Sequence, residues 1–225
     1  MSALTTRILV LGVVSIFGPA NGYQLRRELL SWEVESWAHL NPGSIYSMLT
    51  TLEKQGCIER HDVAVEDGGR PVAVYTITDI GAAEFQTLLF DAIATVPDTG
   101  DALPLRVALN FGPAFTRARF LTAVRTRLEV LGMGREILTQ KAEAMQRTKT
   151  VPPHVVSELG LEIALIDAQL AWLRELESDV SGGALGFDGE PGHVTAWIPP
   201  ADDPGWRMAE ERERYLARID EQRHA

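Results

Sequence analysis

One cysteine, Cys57, stands in 225 residues, so no internal disulfide can form and the chain suits a reducing cytoplasm. No Lys, Arg or His flanks that thiol directly, which leaves nothing in the sequence to activate it; a small buried hydrophobe is the expected role. Long apolar runs are also missing. The longest stretch of interest, Ile8 to Phe17, is about half of what a membrane-spanning helix needs. It follows Arg7 and precedes Gly18-Pro19-Ala20, the outline of a short signal peptide. Because it runs without a break into a helix-turn-helix pattern, a first helix buried beneath two others is the better reading. The five histidines, His39, His61, His154, His193 and His224, are scattered, and none forms a ligand pair on one helix turn, so neither metal nor cofactor is expected. No phosphate-cradling glycine loop and no nucleophile–base arrangement appears. Nothing specific supports an enzyme.

Basic charge is scarce too. The formal net charge is −10, from 31 acids against 21 Lys and Arg. Such a balance speaks at first against a nucleic-acid partner. The excess is uneven: residues 81–100 carry three acids and no base, residues 181–225 carry nine acids against five bases, and residues 101–180 balance at ten each. The first 80 residues hold six bases and nine acids. A DNA-binding protein built this way must rely on local basic positions and on dimer geometry, with weak non-specific binding.

What is present is a pattern. A helix over about Thr5–Phe17 stops at Gly18-Pro19. Asn21 is a candidate N-cap for a second helix from Gly22 to about Ser31, with Tyr23, Leu25 and Leu29 able to face inward. Residues 32–40 read as a connector. A third helix opens near Pro42, a favoured first-turn residue, carries Ile45, Leu49 and Leu52 on one stripe, and ends at Glu53-Lys54-Gln55-Gly56. Two strands rich in β-branched residues follow, at 58–65 and 72–78, around a Glu66-Asp67-Gly68-Gly69-Arg70-Pro71 turn whose glycines suit positive φ. A further helix runs from Asp79 to about Ala94. A helix followed at once by a hairpin is the order of a winged helix-turn-helix, in which the helix enters the major groove and the wing tip reaches a phosphate.

Residues 96–101 read as a linker, after which the period changes. Leu121, Val124, Leu128, Leu131, Leu138, Ala142 and Met145 form one heptad-like seam, broken at Arg135. Beyond Val151-Pro152-Pro153, a second seam contains Val156, Leu159, Ile163, Ile166, Leu170 and Leu173. Steps of three and four residues define coiled-coil-type faces, and two such helices joined by a Pro-Pro turn should lie antiparallel. Leu161, Leu165, Trp172 and Leu176 widen the apolar stripe beyond what one neighbour can cover, and a second copy of the chain covers it most economically. The seam residues Leu159, Ile163, Ile166, Leu170 and Leu173 are the dimerisation candidates. From Ser181 to Gly205 the sequence is Gly-, Pro- and Asp-rich loop. Residues 206–222 return to a helix of mixed charge with a thin Met208, Tyr215, Leu216, Ile219 stripe, read as a solvated helix folded back on the body. The expected fold is mainly α with a small β-wing: a winged helix-turn-helix domain over 1–95, a long-helix, coiled-coil-like dimerisation domain over 101–180, and a loop and charged helix of unknown role over 181–225.

Residues 8–90 resemble the PadR family of transcriptional regulators. The resemblance is carried, in order, by Ile8-Leu9-Val10-Leu11-Gly12, Asn21-Gly22-Tyr23-Gln24-Leu25, Gly43-Ser44-Ile45-Tyr46, Leu52-Glu53 with Gly56-Cys57-Ile58, Gly69-Arg70-Pro71 and Tyr75-Thr76-Ile77-Thr78-Asp79-Ile80-Gly81. Each piece is weak alone, and their order and spacing make them specific. The helical region from about Leu103 to Val180 is similar to the dimerisation domain of the family's longer members, and the tail has no counterpart. The resemblance implies a homodimer that binds double-stranded, inverted-repeat operator DNA, usually as a repressor, with release by a small aromatic or drug-like effector. It implies that Tyr46 meets the phosphate backbone. It also implies basic residues after the wing proline, where this chain has Val72 and Ala73. Two rival readings stay open: a winged-helix interaction module that has lost DNA binding, and a constitutive repressor without an effector.

The DNA-facing candidates are Gly43, Ser44, Tyr46, Ser47 and Thr51 on the third helix, Asn41 at its start, Tyr23 and Gln24 on the second helix, and Arg70 at the wing. Asn41 has a rival role as a cap, Tyr23 and Tyr46 as packed rings, and Arg70 as a plain solvated tip. Phe111, Phe115, Phe120 and Trp172 are the candidates for lining an effector site, against ordinary core burial.

Overall fold

The computed structural model describes residues 3–64, 70–97, 102–149, 151–187, 190 and 205–224, with 205–207 described by their backbone alone. The chain divides into two compact units. The first comprises residues 1–89, 106–111 and 195–225, and the second residues 90–105 and 112–194.

The first unit is built around α1 (Ala3–Phe17), whose residues Ile8 to Val14 are all buried. A helix apolar on every side must be surrounded, and this is the run that invited the membrane question. No described helix is long and apolar enough to cross a membrane. A two-residue strand, β1 (Ala20–Asn21), then leads into α2 (Gly22–Ser31). The side chain of Asn21 accepts from the Gln24 N–H while the Gln24 side chain accepts from the Asn21 N–H, a reciprocal capping box. Where a plain connector was expected, the chain makes one further turn of helix, α3 (Val34–Trp37), which buries Val34. The next helix, α4 (Pro42–Lys54), starts with Pro at its first position and turns Ile45, Leu49 and Leu52 into the core.

Gly56, at φ +72°, ends α4 in the left-handed region that favours glycine. It starts the hairpin of β2 (Ile58–Val63) and β3 (Val72–Ile77), each shorter than the expected strand by one or two residues. The sheet has three strands in the order β1-β3-β2, all antiparallel, with Asp62 opposite Ala73, Arg60 opposite Tyr75 and Ala20 opposite Tyr75 on the other side. The turn expected at Glu66 to Gly69 lies outside the described residues. After β3, the Thr78 hydroxyl accepts from the Gly81 N–H and begins α5 (Asp79–Ala94). Gly81 is forced: a Cβ there would stand 1.9 Å from the carbonyl oxygen of Cys57.

The later part of the first unit contains the last residues of α6 (Leu103–Leu109) and the aromatic that follows it. Phe111 is buried edge-on against Phe85 and Trp32 and fills the space over Gly12, where a Cβ would collide with its ring.

The second unit is dominated by α7 (Arg117–Thr148) and α8 (Pro153–Ser181). Their ladder of contacts runs Arg125 to Glu177, Arg127 to Gln169 and Arg135 to Asp167, falling along α8 as it rises along α7, so the two helices are antiparallel. Arg135, the break in the first seam, is thus an ion-pair rung, Nε 2.5 Å from Asp167 Oδ1. The five dimerisation candidates all lie on α8. Leu159, Leu170 and Leu173 are buried within the chain, and Ile163 and Ile166 are half-buried. That seam zips α8 to α7. Among the described residues, Val130, Met133 and Ile137 on α7 and Leu161, Leu165 and Trp172 on α8 stay exposed, and these are the apolar flank residues.

A second feature of this unit escaped the sequence pattern. Arg127 is buried, and its Nη1 donates to the carbonyls of Ile93 and Thr95 at the end of α5, while Nη2 donates to Gln169. It closes carbonyls that α5 leaves unpaired, with a cation at the negative end of the helix dipole. The expected linker begins just after, and its residues 98–101 lie outside the described set. The last helix, α9 (Gly205–His224), returns to the first unit.

Candidate nucleic-acid interface

Positions 43, 46, 47, 50 and 51 share the outer surface of α4, opposite the buried stripe of Ile45, Leu49 and Leu52. The spacing of three and four residues requires this, because the stripe consumes one face and leaves the other to polar groups. Tyr46 is 45% exposed. Part of its ring lies against the start of α2, where a Cβ on Gly22 would come within 3.0 Å of it. The ring is therefore steadied while its outer part stays open. Ser47, Thr50 and Thr51 each donate their hydroxyl hydrogen to the carbonyl four residues back. Their oxygens face outward as acceptors. Thr50 was absent from the sequence candidates, and its place three to four residues after Tyr46 and Ser47 is the signal that could have found it.

Asn41 has a settled local job, since its side chain accepts from the Gly43 N–H and caps α4. Gly43 is exposed and Ser44 half-buried. On α2, Tyr23 projects outward at 62% exposure, whereas Gln24 is only 4% exposed. The Gln24 side chain belongs to the capping box, and its Nε2 also donates to Glu211. Contrary to expectation, Gln24 offers nothing to an outside phosphate; it positions the start of α2. Arg70 is exposed just before β3.

The wing adds a residue that sequence reasoning passed over. Arg60 on β2 lies opposite Tyr75 and near Glu53 of α4, on the same side of the hairpin as Tyr46. Its Nη2 stands 2.8 Å from Asp62 Oδ1, and that hydrogen bond raises the guanidinium's pKa above its usual value. Burial raises the Tyr75 phenol, partly offset by Arg60. The surface formed by α4 and this side of the wing therefore carries hydroxyl oxygens and a phenol, with Lys54 and Arg60 as cations and Asp62 countering Arg60. That composition can position a polyanion weakly and read polar edges in a groove.

Below the interface, Cys57 is buried as expected, with its Sγ 3.0 Å from Glu84 Oε2. Burial pushes the thiol up in pKa, helped by the bond to Glu84. Arg7 clamps the same carboxylate with both Nε and Nη2 and holds Glu84 below the usual glutamate range.

The four effector candidates fall in both units. Phe111 belongs to the core of the first unit; Phe115 and Phe120 stack edge-to-face, and Phe120 meets Phe187, in the core of the second. Trp172 is 41% exposed on α8. None of them lines either described cavity of the second unit, one of which, about 490 Å³, is walled by Val96, Leu131, Leu138, Leu165 and Ile166 with Glu162 and Gln169 as its polar groups.

Two short helices, α2 and α4, together with a three-stranded antiparallel sheet that carries a hairpin wing, form the architecture of a winged helix-turn-helix. Residues 10–87 match the model of the transcriptional regulator PadR-like family. Among solved structures, the chain is similar to the PadR-like transcriptional regulator BC1756 from Bacillus cereus, with 21% identity over 79% of this chain and 99% of that one and a TM-score of 0.34. It is also similar to smu.1604c from Streptococcus mutans UA159, with 21% identity over 82% and 99% and a TM-score of 0.35. Bacillus subtilis PadR in complex with operator DNA is 18% identical over 77% and 98%, with a TM-score of 0.35. No curated protein matches the chain.

Proposed function

We propose that the chain is a sequence-specific transcriptional repressor that binds an inverted-repeat operator as a cytoplasmic homodimer and answers to a small effector. The observation that carries the reading is the outer face of α4. It presents Tyr46, Ser47, Thr50 and Thr51 to solvent directly before a wing that holds Arg60 on the same side. In this reading Tyr46 and Arg70 touch the sugar-phosphate backbone, Ser47, Thr50 and Thr51 face base edges, and Tyr23 meets a phosphate at the start of α2.

Support for the homodimer comes from the apolar flank that the α7–α8 pairing leaves open, with Ile137 at 65% and Leu161 at 61% exposure. Exposed apolar side chains in such number on two paired helices favour an association surface. For the effector, support comes from the cavity walled by Leu131, Leu138, Leu165 and Ile166, with Glu162 and Gln169 as its polar groups.

A gel-shift of the purified chain on the promoter beside its own gene tests the core of the reading. Retarded DNA that competes with unlabelled promoter but not with random duplex is the expected result. Equal competition by random duplex would overturn sequence specificity, and no retardation at micromolar protein would favour the interaction-module alternative, for which the Arg60–Asp62 pairing and the acidic balance of the first 80 residues speak.

A further inference from the structure

The helix with no assigned role lies along the first unit, against β1, β2 and α1. Its apolar stripe is seated: Ile219 packs on Val63 and Val74, with Val72 and Tyr215 beside it. These sheet residues alternate with Arg60, Asp62, Ala73 and Tyr75 along the strands, so α9 covers the side of the wing turned away from the α4 surface.

Its polar contacts fall at two places. Toward the start of α9, Glu211 accepts from Gln24, the Tyr215 oxygen accepts from Asn21 Nδ2 at 3.4 Å, and Arg212 Nε donates to the Gly18 carbonyl at 2.8 Å. Asn21 and Gln24 are the two halves of the capping box that starts α2. Toward its end, Arg218 donates to the Ala64 carbonyl, Gln222 Nε2 donates to the Asp62 carbonyl at 3.1 Å, and Arg223 reaches Glu59. β2 is the edge strand of the sheet, and its outward carbonyls are what an edge leaves unpaired.

We propose that α9 is a brace for DNA binding: it fixes the wing hairpin against the start of α2, and Arg218, Gln222 and Ile219 are positioning residues for phosphate contact. The inference rests on the DNA-binding reading above. It also answers a difficulty in that reading. With Val72 and Ala73 after the wing proline in place of basic residues, the hairpin has little charge with which to hold itself on a phosphate. A wing held rigidly in place loses less conformational freedom on binding, so a weak contact becomes useful. Beyond the short β1 pairing, α9 covers one face of the hairpin, and such a partner stabilises a small sheet.

The test uses the full chain in two forms, the double variant Arg218→Ala/Gln222→Ala, which keeps the apolar seat, and Ile219→Ala, which weakens it. Amide hydrogen exchange is followed by residue in the free protein, and affinity is measured for a duplex enriched from a random pool by the parent. Amides of β2 and β3 should exchange about ten-fold faster or more, while those of α1 and α4 keep the parent's protection. Affinity for the duplex should fall roughly five- to twenty-fold, with the order of preference among mismatched duplexes unchanged. Unchanged exchange in β2 and β3, or loosened strands with parental affinity, would overturn the brace. Loss of protection in α1 and α4 as well would reduce α9 to an ordinary part of the core. If the parent enriches no duplex, the DNA-binding reading fails, and the exchange pattern still decides whether α9 holds the wing.

Discussion

At the scale of single residues, charge is placed sparingly, and each ion pair has a distinct consequence. Arg7 and Glu84 form a two-pronged pair beneath the wing, 18% and 30% exposed at their side chains. Because Arg7 lowers the folded pKa of Glu84, the pair contributes stability above the ordinary glutamate range, and that contribution is lost as pH falls through the folded value. Glu84→Gln should therefore cost about 1 kcal/mol at neutral pH. The gap between parent and variant should close in acid, read from urea midpoints at several pH values; a gap that widens in acid would reverse the assignment. On the interface, Asp62 occupies Arg60. Asp62→Asn removes one acid and releases one guanidinium per protomer, so operator affinity should rise roughly three- to ten-fold and the salt dependence should steepen. Tyr46→Phe removes no charge; it should weaken specific and non-specific binding alike without changing that dependence, and leave the melting temperature within about two degrees of the parent. Unfolding of the Tyr46 variant would show that the ring is structural.

At the scale of elements, legibility followed the range of the force involved. The buried stripe of α4, the Asn21 and Asn41 caps, the Gly56 stop and the Thr78 start are all written in neighbouring residues, and those boundaries were read to within a residue or two. Two-residue β1 was missed because its partner, Tyr75 and Val74, lies far along the chain and two residues carry no period. The α9 stripe was visible, yet nothing in it names the sheet that receives Ile219. For the same reason the heptad seam of α8 was read as an intermolecular face: a period tells which side is buried, not what buries it. Arg127 is the sharpest instance. Its position beside Leu128 suggests solvent, whereas the open carbonyls at the end of α5 draw it inward. Arg127→Met should keep the volume and orphan those carbonyls, costing about 1–3 kcal/mol in unfolding free energy. A variant as stable as the parent in denaturant would mean that water serves the helix end equally well.

At the scale of the whole molecule, the acidic balance and the α7–α8 flank jointly set how DNA would be bound. Among the described residues, Lys54 and Arg60 are cations near the α4 surface, with Arg70 exposed at the wing, and Arg60 is already paired. One such surface would hold DNA poorly, and two on one inverted repeat would share the entropic cost of association. The flank residues make this testable apart from folding, since Ile137 and Leu161 are exposed where Leu170 and Leu173 are not. Replacing Ile137 and Leu161 with Asp together should leave thermal stability of the protomer nearly unchanged and shift light scattering from dimer to monomer. A parent that is monomeric at micromolar concentration, or a double variant that stays dimeric, would remove the flank from consideration. The proposed dimer would in turn fix the salt response. Each neutralised phosphate contributes a slope of about −0.9, so two to three cations per protomer give a slope of log affinity against log salt of roughly −3 to −6 for the dimer. The Asp-substituted monomer should show about half of that on a single half-site, with the same base preferences. A dimer slope near −10 would instead show that cations outside the α4 side reach the duplex, and would move the interface off the face drawn for it.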